Sequence, residues 1–565
     1  MAPGTAATIE SAALAKRQAL AGATGPLAIF QNLRVFGIAC FACLGGLLYG
    51  YNQGVFSGVL TMTSFDHHMG DYTTNQTKKG WLTSILELGA WFGAITSGFT
   101  AESLSRKYAI LLNVCIFVLG VVVQATAVTP SGHNSILGGR FVTGMGVGSL
   151  STIVPMYNAE ISPPEVRGAL VGLQQLSITL GIMISFWIDY GTNYIGGTGK
   201  SQHDAAWLLP LCLQLVPATL LGAGILFMPF SPRWLIHHNR ETEARRVLAS
   251  LRNLPQDHEL IEIEFAEIKA QSLFEKRVVA ERFPHLSEQN IWNTFKLQFV
   301  AIGSLFASKP MFKRVVVATV TMFFQQWTGI NAILYYAPQI FSDLGLSSNT
   351  VSLLATGVVG IAMFLATIPA VLFVDKLGRK PVLIVGAIGM AMCHLIVAGI
   401  SGAFENSWPS HRGAGWAAVS MVWLFVIHFG YSWGPCAWIV IAEVWPLSNR
   451  SYGISLGASS NWMNNFIVGQ VTPDMLKGMR YGTYIFFGLL TFGGAIFIWW
   501  FVPETKSLSL EEMDIVFGSV GIAARDREIM NEINVELGLA SFAETGVMRA
   551  SIDEKEATHH EEGQA

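Results

Sequence analysis

Nine side chains set among apolar neighbours have chemistry to offer: Gln174, Gln175, Gln325, Gln326, Asn331, Trp438, Asn461, Trp462 and Asn465. Carboxamides donate and accept hydrogen bonds without the cost of burying a charge. A tryptophan adds a flat apolar face and one N–H donor. Together they suit a molecule that carries several hydroxyls and apolar C–H faces. Asn461 and Asn465 are four residues apart and share a helix face. Gln326 and Asn331 are five apart, about 140° round a continuous helix, and flank one edge of it. Glu87 differs in kind, because it is a carboxylate in the apolar run Leu86-Glu87-Leu88-Gly89-Ala90-Trp91, where charge is costly. The apolar runs hold no nucleophile–base pair, metal-ligand cluster or phosphate loop. His394 and His428 stand alone and read as hydrogen-bonded packing residues. The expectation is a protein that is not an enzyme, with no catalytic residues, no metal and no cofactor.

The elements that must position these side chains are long apolar helices. Of 565 residues, 51% are hydrophobic and 13% charged, and that charged fraction is about half the usual globular share. About twelve stretches are long enough to cross a bilayer. They run near 35–60, 80–101, 108–128, 135–158, 168–190, 206–228, 313–341, 350–374, 381–403, 415–443, 452–476 and 482–502. The fold class expected is an all-α membrane protein of twelve transmembrane helices in two pseudo-symmetric six-helix bundles. The 57 glycines suit close helix packing in lipid. All six cysteines lie inside apolar stretches and read as small packing residues.

A duplicated charge pattern supports the two halves. Glu160, Pro163 and Arg167 recur as Glu443, Pro446 and Arg450, and Glu102 with Arg106 matches Asp375 with Arg379. These eight charges sit at helix ends on one side. The expectation is a gate, whose carboxylates and guanidiniums pair only when the two bundles touch there. Lys and Arg in the polar stretch 229–312 and in short loops place that side in the cytoplasm, with both termini. Arg240–Arg252 and Ile261–Arg277 have helical spacing and are expected to lie under the bundle. The domain reading is a tail 1–34, a first bundle 35–228, a cytoplasmic segment 229–312, a second bundle 313–502 and an acidic tail 503–565. That tail carries 14 acids against five bases and is expected to be largely disordered beyond the segment Ser509–Phe517. The first ~30 residues lack the pattern of a cleaved signal peptide. Asn75-Gln76-Thr77 is a glycosylation acceptor sequence on the outer side.

Four motifs in order resemble the sugar porter family of the major facilitator superfamily, its fungal members above all. Gly139-Arg140-Phe141-Val142-Thr143-Gly144 leads through Pro155 and Tyr157 to Glu160 and Arg167. Pro229-Phe230-Ser231-Pro232-Arg233-Trp234-Leu235 closes the first half. Gln325-Gln326-Trp327-Thr328-Gly329-Ile330-Asn331 with Tyr335-Tyr336 opens the second, and Pro503-Glu504-Thr505-Lys506 ends it. The resemblance covers about residues 35–515. It implies monosaccharide transport by alternating access, with Gln175, Gln325, Gln326, Asn331, Trp438 and Asn465 at sugar-binding positions; Asn461 joins them on its helix face. It also implies an external lid at Tyr335 and Tyr336. Three departures stand out: Glu102 replaces an Asp, Ser103 and Ser105 replace Arg and Gly, and Met363 falls where an asparagine is expected.

The resemblance also bears on coupling. Proton-coupled members carry an Asp in the first span that pairs with the fourth-span arginine, and here that position is Asn52, which cannot titrate. Glu87, Asn52 and Arg140 lie at a similar depth, about 11 Å from the outer edge for the first two. One expectation is that Glu87 pairs with Arg140, or is buried in protonatable form, and takes over the proton; the other is facilitated diffusion. Asp189 reads as a residue of the outer mouth. Expected partners are a monosaccharide (hexose or pentose), lipid and, if coupled, protons, with no nucleic acid and a monomeric working unit in the plasma membrane. The alternatives are a polyol or quinate-type transporter, or a membrane sugar sensor of the same fold.

Overall fold

Long runs free of charge leave the backbone only itself to hydrogen-bond, so helices follow wherever the apolar stretches lie. The structure is a computed structural model that describes residues 16–17, 19–21, 32–128, 132–286, 291–346, 349–506 and 510–538. In the first half of the chain the long helices are α1 (Leu33–Ala42), α2 (Leu44–Val59), α3 (Gln76–Leu104), α4 (Arg106–Ala125), α5 (Gly132–Ile161), α6 (Arg167–Thr192), α7 (Ala205–Leu213) and α8 (Leu215–Ile225). A layer of α9 (Pro232–His237), α10 (Glu241–Arg252), α11 (Glu259–Arg282) and α12 (Ile291–Ser304) follows. The second half holds α13 (Lys309–Trp327), α14 (Ile330–Asp343), α15 (Asn349–Leu377), α16 (Arg379–Phe404), α17 (Arg412–Tyr431), α18 (Trp433–Glu443), α19 (Arg450–Met479) and α20 (Gly482–Phe501). Helices α21 (Leu510–Phe517) and α22 (Val520–Glu536) close the described chain. No strand occurs among the described residues.

Seven helical segments are long and apolar enough to cross a membrane: Leu33–Val59, Arg106–Val128, Ala205–Ile225, Val351–Phe373, Arg379–Phe404, Arg412–Glu443 and Gly482–Phe501. Within the two halves, the long helices outside that set are α3, α5, α6, the pair α13–α14, and α19. They are the ones that carry Glu87, Arg140 and the buried amides, which lowers their apolarity and explains the difference from the twelve stretches read above. Large apolar side chains such as Phe92, Leu119, Leu220, Leu365, Leu489 and Trp500 remain exposed on the flanks, as a lipid-facing surface requires.

Small residues let the helices touch. On α3 and α5, Gly89, Gly93, Gly144 and Gly148 are set so that an added Cβ would lie about 2 Å from a carbonyl oxygen of the opposite helix, between 1.9 and 2.1 Å in each case. The two halves meet along two seams, α3 with α19 and α6 with α15. On the second seam a Cβ at Gly360 would stand 2.7 Å from the Met183 backbone.

The helical layer lies against one end of the molecule, called here the basal end, the opposite one being distal. Both helices read in the polar stretch 229–312 form there, as α10 and α11, and Arg252 of α10 binds Glu165 and Glu264 with all three side chains nearly fully buried. The Pro-Phe-Ser-Pro-Arg motif has a mechanical role. Ser231 caps α9 and donates to Glu160, while Trp234 Nε1 donates to the Glu102 carbonyl at 2.9 Å. Glu504 plays a matching part in the second half by accepting the backbone N–H groups of Arg379 and Lys380 at 3.0 and 3.1 Å, where the α16 dipole favours a carboxylate.

Residues 518–538 of the tail depart from the disorder expected of them. Helix α22 docks on α11 through Phe274, Val278, Ile529 and Ile533, and Arg282 binds Asp526 at 3.0 Å. Its apolar face, built on Ile529 and Ile533, is too short to stand out in an acidic sequence, and it gains order from the partner helix. Ser509 lies outside the described residues.

Candidate functional site

The interior between the halves is built where helices break. Gly329, at φ +87°, separates α13 from α14, so Gln326 and Asn331 do not share one continuous helix as the spacing implied. Instead Asn331 Nδ2 donates directly to Gln326 Oε1. The carbonyl of Thr328, freed by the break, is met by His394 Nε2 at 2.8 Å. The second break, at Ser432 between α17 and α18, leaves the carbonyls of Trp433 and Gly434 facing inward, where Gln325 Nε2 reaches them at 2.8 and 3.3 Å. Broken helices of this kind are tolerated at membrane depth only where they line an interior.

The amides converge from both halves. Asn461 Nδ2 donates to Gln325 Oε1 at 2.5 Å, and both residues are buried. From the first half, Gln175 Nε2 comes within 3.6 Å of where a Cβ on Gly434 would stand. Gln174, one residue away, is buried with neither amide atom hydrogen-bonded among the described residues. Trp438 is half-buried against the same core. Trp462 is fully buried, packs with its ring tilted at 54° and centred 5.1 Å from that of Tyr49 in the opposite half, and has no partner for its N–H among the described residues. The sequence reading passed over Tyr49, and a lone tyrosine at the start of a polar patch in an apolar helix was its only signal.

Glu87 does not pair with Arg140. Among the described residues it forms no ion pair within 4 Å. Its oxygens are taken by the second half: Tyr335 Oη lies 2.7 Å from Oε1 and Asn465 Nδ2 lies 2.9 Å from Oε2. Tyr335 Oη also sits 2.9 Å from Asn465 Oδ1. Arg140 instead donates to the Thr83 carbonyl at 2.9 Å and stacks on Phe56 with its Cζ 3.8 Å from the ring centre, leaving Nε and Nη1 unpartnered. The guanidinium is engaged by the Thr83 carbonyl and the Phe56 ring rather than by the carboxylate. Asn52 bonds its own helix through Leu48 O at 3.1 Å.

Further bonds draw the halves together at the distal end. Lys79 Nζ reaches Gln339 at 2.6 Å, Ser84 donates to Gln470 at 3.1 Å, and Thr77 donates to Asp474 at 3.0 Å. Tyr336 bonds the Gly469 carbonyl at 2.7 Å, and both lid tyrosines are buried. The distal end is therefore closed. Gln470, Lys79 and Gln339 were not foreseen, because polar residues at helix ends look like ordinary water-facing groups in sequence. Asp189 is buried against Gly58 and is not in an open mouth. Asn75 caps α3 by accepting the Lys78 N–H.

At the basal end the ion pairs seen among the described gate charges lie within each half. Arg106 binds Glu102 at 2.9 Å and Glu160 at 3.0 Å, all in the first half, and Arg379 binds Glu443 at 2.9 Å in the second. The expectation of pairing only across the bundles is corrected: each glutamate ends a helix beside the arginine that starts a neighbour within its own half. Arg167 reaches only the Ser162 carbonyl, at 3.4 Å, and Arg450 forms no ion pair among the described residues. The Asp375 side chain lies outside the described residues.

The family described as "Sugar (and other) transporter" matches residues 38–517. A probable quinate permease of Aspergillus fumigatus is 31% identical over 530 residues, covering 91% of this chain and 94% of its own length. The quinate permease of Neurospora africana is 32% identical over 525 residues, covering 90% and 94%. Among solved structures, the xylose transporter XylE from E. coli in a partially occluded inward-open conformation matches with a TM-score of 0.67 at 24% identity, over 84% of this chain and 99% of that one. The same protein, described as a major facilitator superfamily proton:xylose symporter bound to 6-bromo-6-deoxy-D-glucose, matches at 0.67 and 25% identity, over 86% and 99%.

Proposed function

The chain belongs to the sugar (and other) transporter family, and from that membership we propose that it carries a monosaccharide across a membrane by alternating access. One observation carries the reading: uncharged amides from both halves converge on the broken helices, with Gln175 on one side and Gln325, Gln326, Asn331, Asn461 and Asn465 on the other. A hexose or pentose offers hydroxyls that such groups can bond, and the half-buried Trp438 offers a face for the ring. Counting α3, α5, α6, the pair α13–α14 and α19 as spans, with the seven apolar ones, gives twelve in two six-helix halves. The basal layer is cytoplasmic in this reading, both termini lie on that side, and the plasma membrane is the site of action.

The distal seam is shut, with Tyr335 and Tyr336 as the lid. The gate works by exchange of partners. Arg167 and Arg450, without carboxylate partners here, are the charges left to bridge the halves when the basal end closes.

A second reading rests on the relatives named quinate permeases. Quinate is also a polyhydroxylated six-membered ring, and it adds a carboxylate that would need a cation in the interior. Arg140, with two unpartnered nitrogens, is the group that would supply it. Uptake of labelled glucose, xylose and quinate in cells lacking their own carriers decides. The monosaccharide reading expects sugar uptake that quinate does not compete with. Quinate uptake, abolished in Arg140→Gln, would replace it with the second.

A further inference from the structure

We propose that Glu87, Tyr335 and Asn465 form a proton-operated latch between the two halves, which closes fully only when Glu87 carries a proton taken from the distal side. This rests on the transport reading above and adds the ion that drives it. The geometry makes a ring of three contacts: Tyr335 Oη to Glu87 Oε1 at 2.7 Å, Tyr335 Oη to Asn465 Oδ1 at 2.9 Å, and Asn465 Nδ2 to Glu87 Oε2 at 2.9 Å.

Each contact needs one proton between its two heavy atoms. The tyrosine hydroxyl has one, and the amide points one into the ring. With an ionised Glu87 that makes two protons for three contacts, so one pair of oxygens meets lone pair to lone pair. Turning the Asn465 amide over does not help. The nitrogen then donates to Tyr335 Oη, the tyrosine donates to Glu87, and the bare contact moves to Asn465 Oδ1 against Glu87 Oε2. A proton on Glu87 completes the ring in either orientation.

The surroundings offer no other source of that proton. The charged or titratable groups facing Glu87 are Arg140 from α5, Tyr49 from α2 and Tyr335 from α14. Arg140 bonds Thr83 O and lies over the Phe56 ring, Tyr49 accepts from Gln53 at 3.1 Å, and among the described residues neither donates a hydrogen bond to Glu87. Asn52 has no proton to give up. All three latch residues are buried, so water does not repair the bare contact.

The cycle balances at one proton per turn. With the distal end open, Tyr335 and Asn465 withdraw with the second half and the exposed Glu87 carboxylate takes a proton from outside. The neutral acid then permits closure over the sugar, because Asn465 also belongs to the amide set. After the basal end opens, Glu87 loses the proton to that side, the ring is one proton short, and the empty carrier reopens distally.

Three measurements on the full chain test this. Labelled xylose and glucose uptake is followed with and without a protonophore. Medium pH is recorded on sugar addition. Spin labels on Thr74→Cys and Lys477→Cys, both exposed at the distal end, report its closure against pH. The expected wild type accumulates sugar above the outside level, alkalinises the medium and opens distally as pH rises. In Glu87→Gln the amide supplies the missing donor, so the ring is complete at every pH. This variant should stay closed regardless of pH and lose both accumulation and alkalinisation. Tyr335→Phe removes two of the three contacts and should shift the distal end toward the open form across the pH range, which separates the latch from misfolding. Wild-type uptake that only equilibrates and ignores the protonophore overturns the latch and leaves transport standing. So does proton-driven accumulation that survives Glu87→Gln. If the wild type moves none of the substrates, the transport reading fails, and the pH response of the distal distance still judges the latch.

Discussion

Gln470 is the sharpest place to test whether the distal seam sets the conformational balance. Its amide makes two bonds from α19 to α3. Ser84 donates to Oε1 at 3.1 Å, and Nε2 donates to the Thr77 carbonyl at 3.1 Å. Gln470→Ala removes both, and only in the distal-closed state, because on opening each group turns to water. A neutral bond contributes about 0.5–1.5 kcal/mol, and the one at Thr77 is exposed and belongs at the lower end. The sum is about 1–2 kcal/mol, which shifts a two-state equilibrium about 5- to 30-fold toward the distal-open form. The assay is the distance distribution between spin labels at Thr74→Cys and Lys477→Cys, with the exposed Cys40 and Cys115 changed to serine. The longer-distance population should rise by that factor in Gln470→Ala and stay put in Gln271→Ala, whose side chain bonds Glu275 in the basal layer. An unchanged distribution in a folded Gln470→Ala would refute the idea that these seam bonds hold the distal end shut.

Gln325→Ala loses its bonds to Asn461, Trp433 and Gly434, and the KM for sugar uptake should rise about tenfold or more while surface expression holds. Arg252→Leu strands the buried carboxylates of Glu165 and Glu264, at a cost of about 3–5 kcal/mol. Hydrogen exchange across Glu259–Arg282 should speed accordingly, and adding Glu264→Gln should recover part of the loss. Burial holds the Asp526 carboxyl above its usual range, against the opposing pull of Ser448 and Arg282. The docked tail helix thus binds its proton more tightly than the undocked one. Docking is strongest below the ordinary aspartate range and weakens as pH rises through the raised value. Exchange in Val520–Glu536, corrected for intrinsic rates, should therefore quicken on raising the pH and become flat in Asp526→Asn.

Much of the site was legible because its residues are chemically out of place where they stand. Amides at 174, 175, 325, 326, 461 and 465 in apolar runs stood out as groups that lipid would not tolerate, as did the carboxylate of Glu87, and all of these residues but the half-buried Gln175 are buried in the fold. The basal motifs were legible as motifs, but their mechanics were not: that Ser231 reaches Glu160, or that Glu504 caps α16, depends on loops folding back over helix ends. The gate was read as a set of cross-bundle pairs because duplication reveals equivalent charges without revealing neighbours. Arg106 and Glu160 are 54 residues apart yet adjacent within one half. The break at Gly329 was hidden for a similar reason. A glycine inside an apolar run is common, and only the backbone shows that this one turns left-handed.

Hydropathy, the spacing of polar side chains and the recurring motifs are properties of a few residues at a time. From them the sequence by itself determined an all-helical membrane chain, its family, and the set of amides that lie in its interior. Partners are properties of pairs far apart in the chain, set by which helices lie side by side and how each is rotated. Glu87 meets Tyr335 across 248 residues and Asn465 across 378. No local pattern distinguishes that carboxylate from one facing Arg140 on the next helix. The tertiary structure made the choice by stacking Arg140 on Phe56 and turning Glu87 toward the other half.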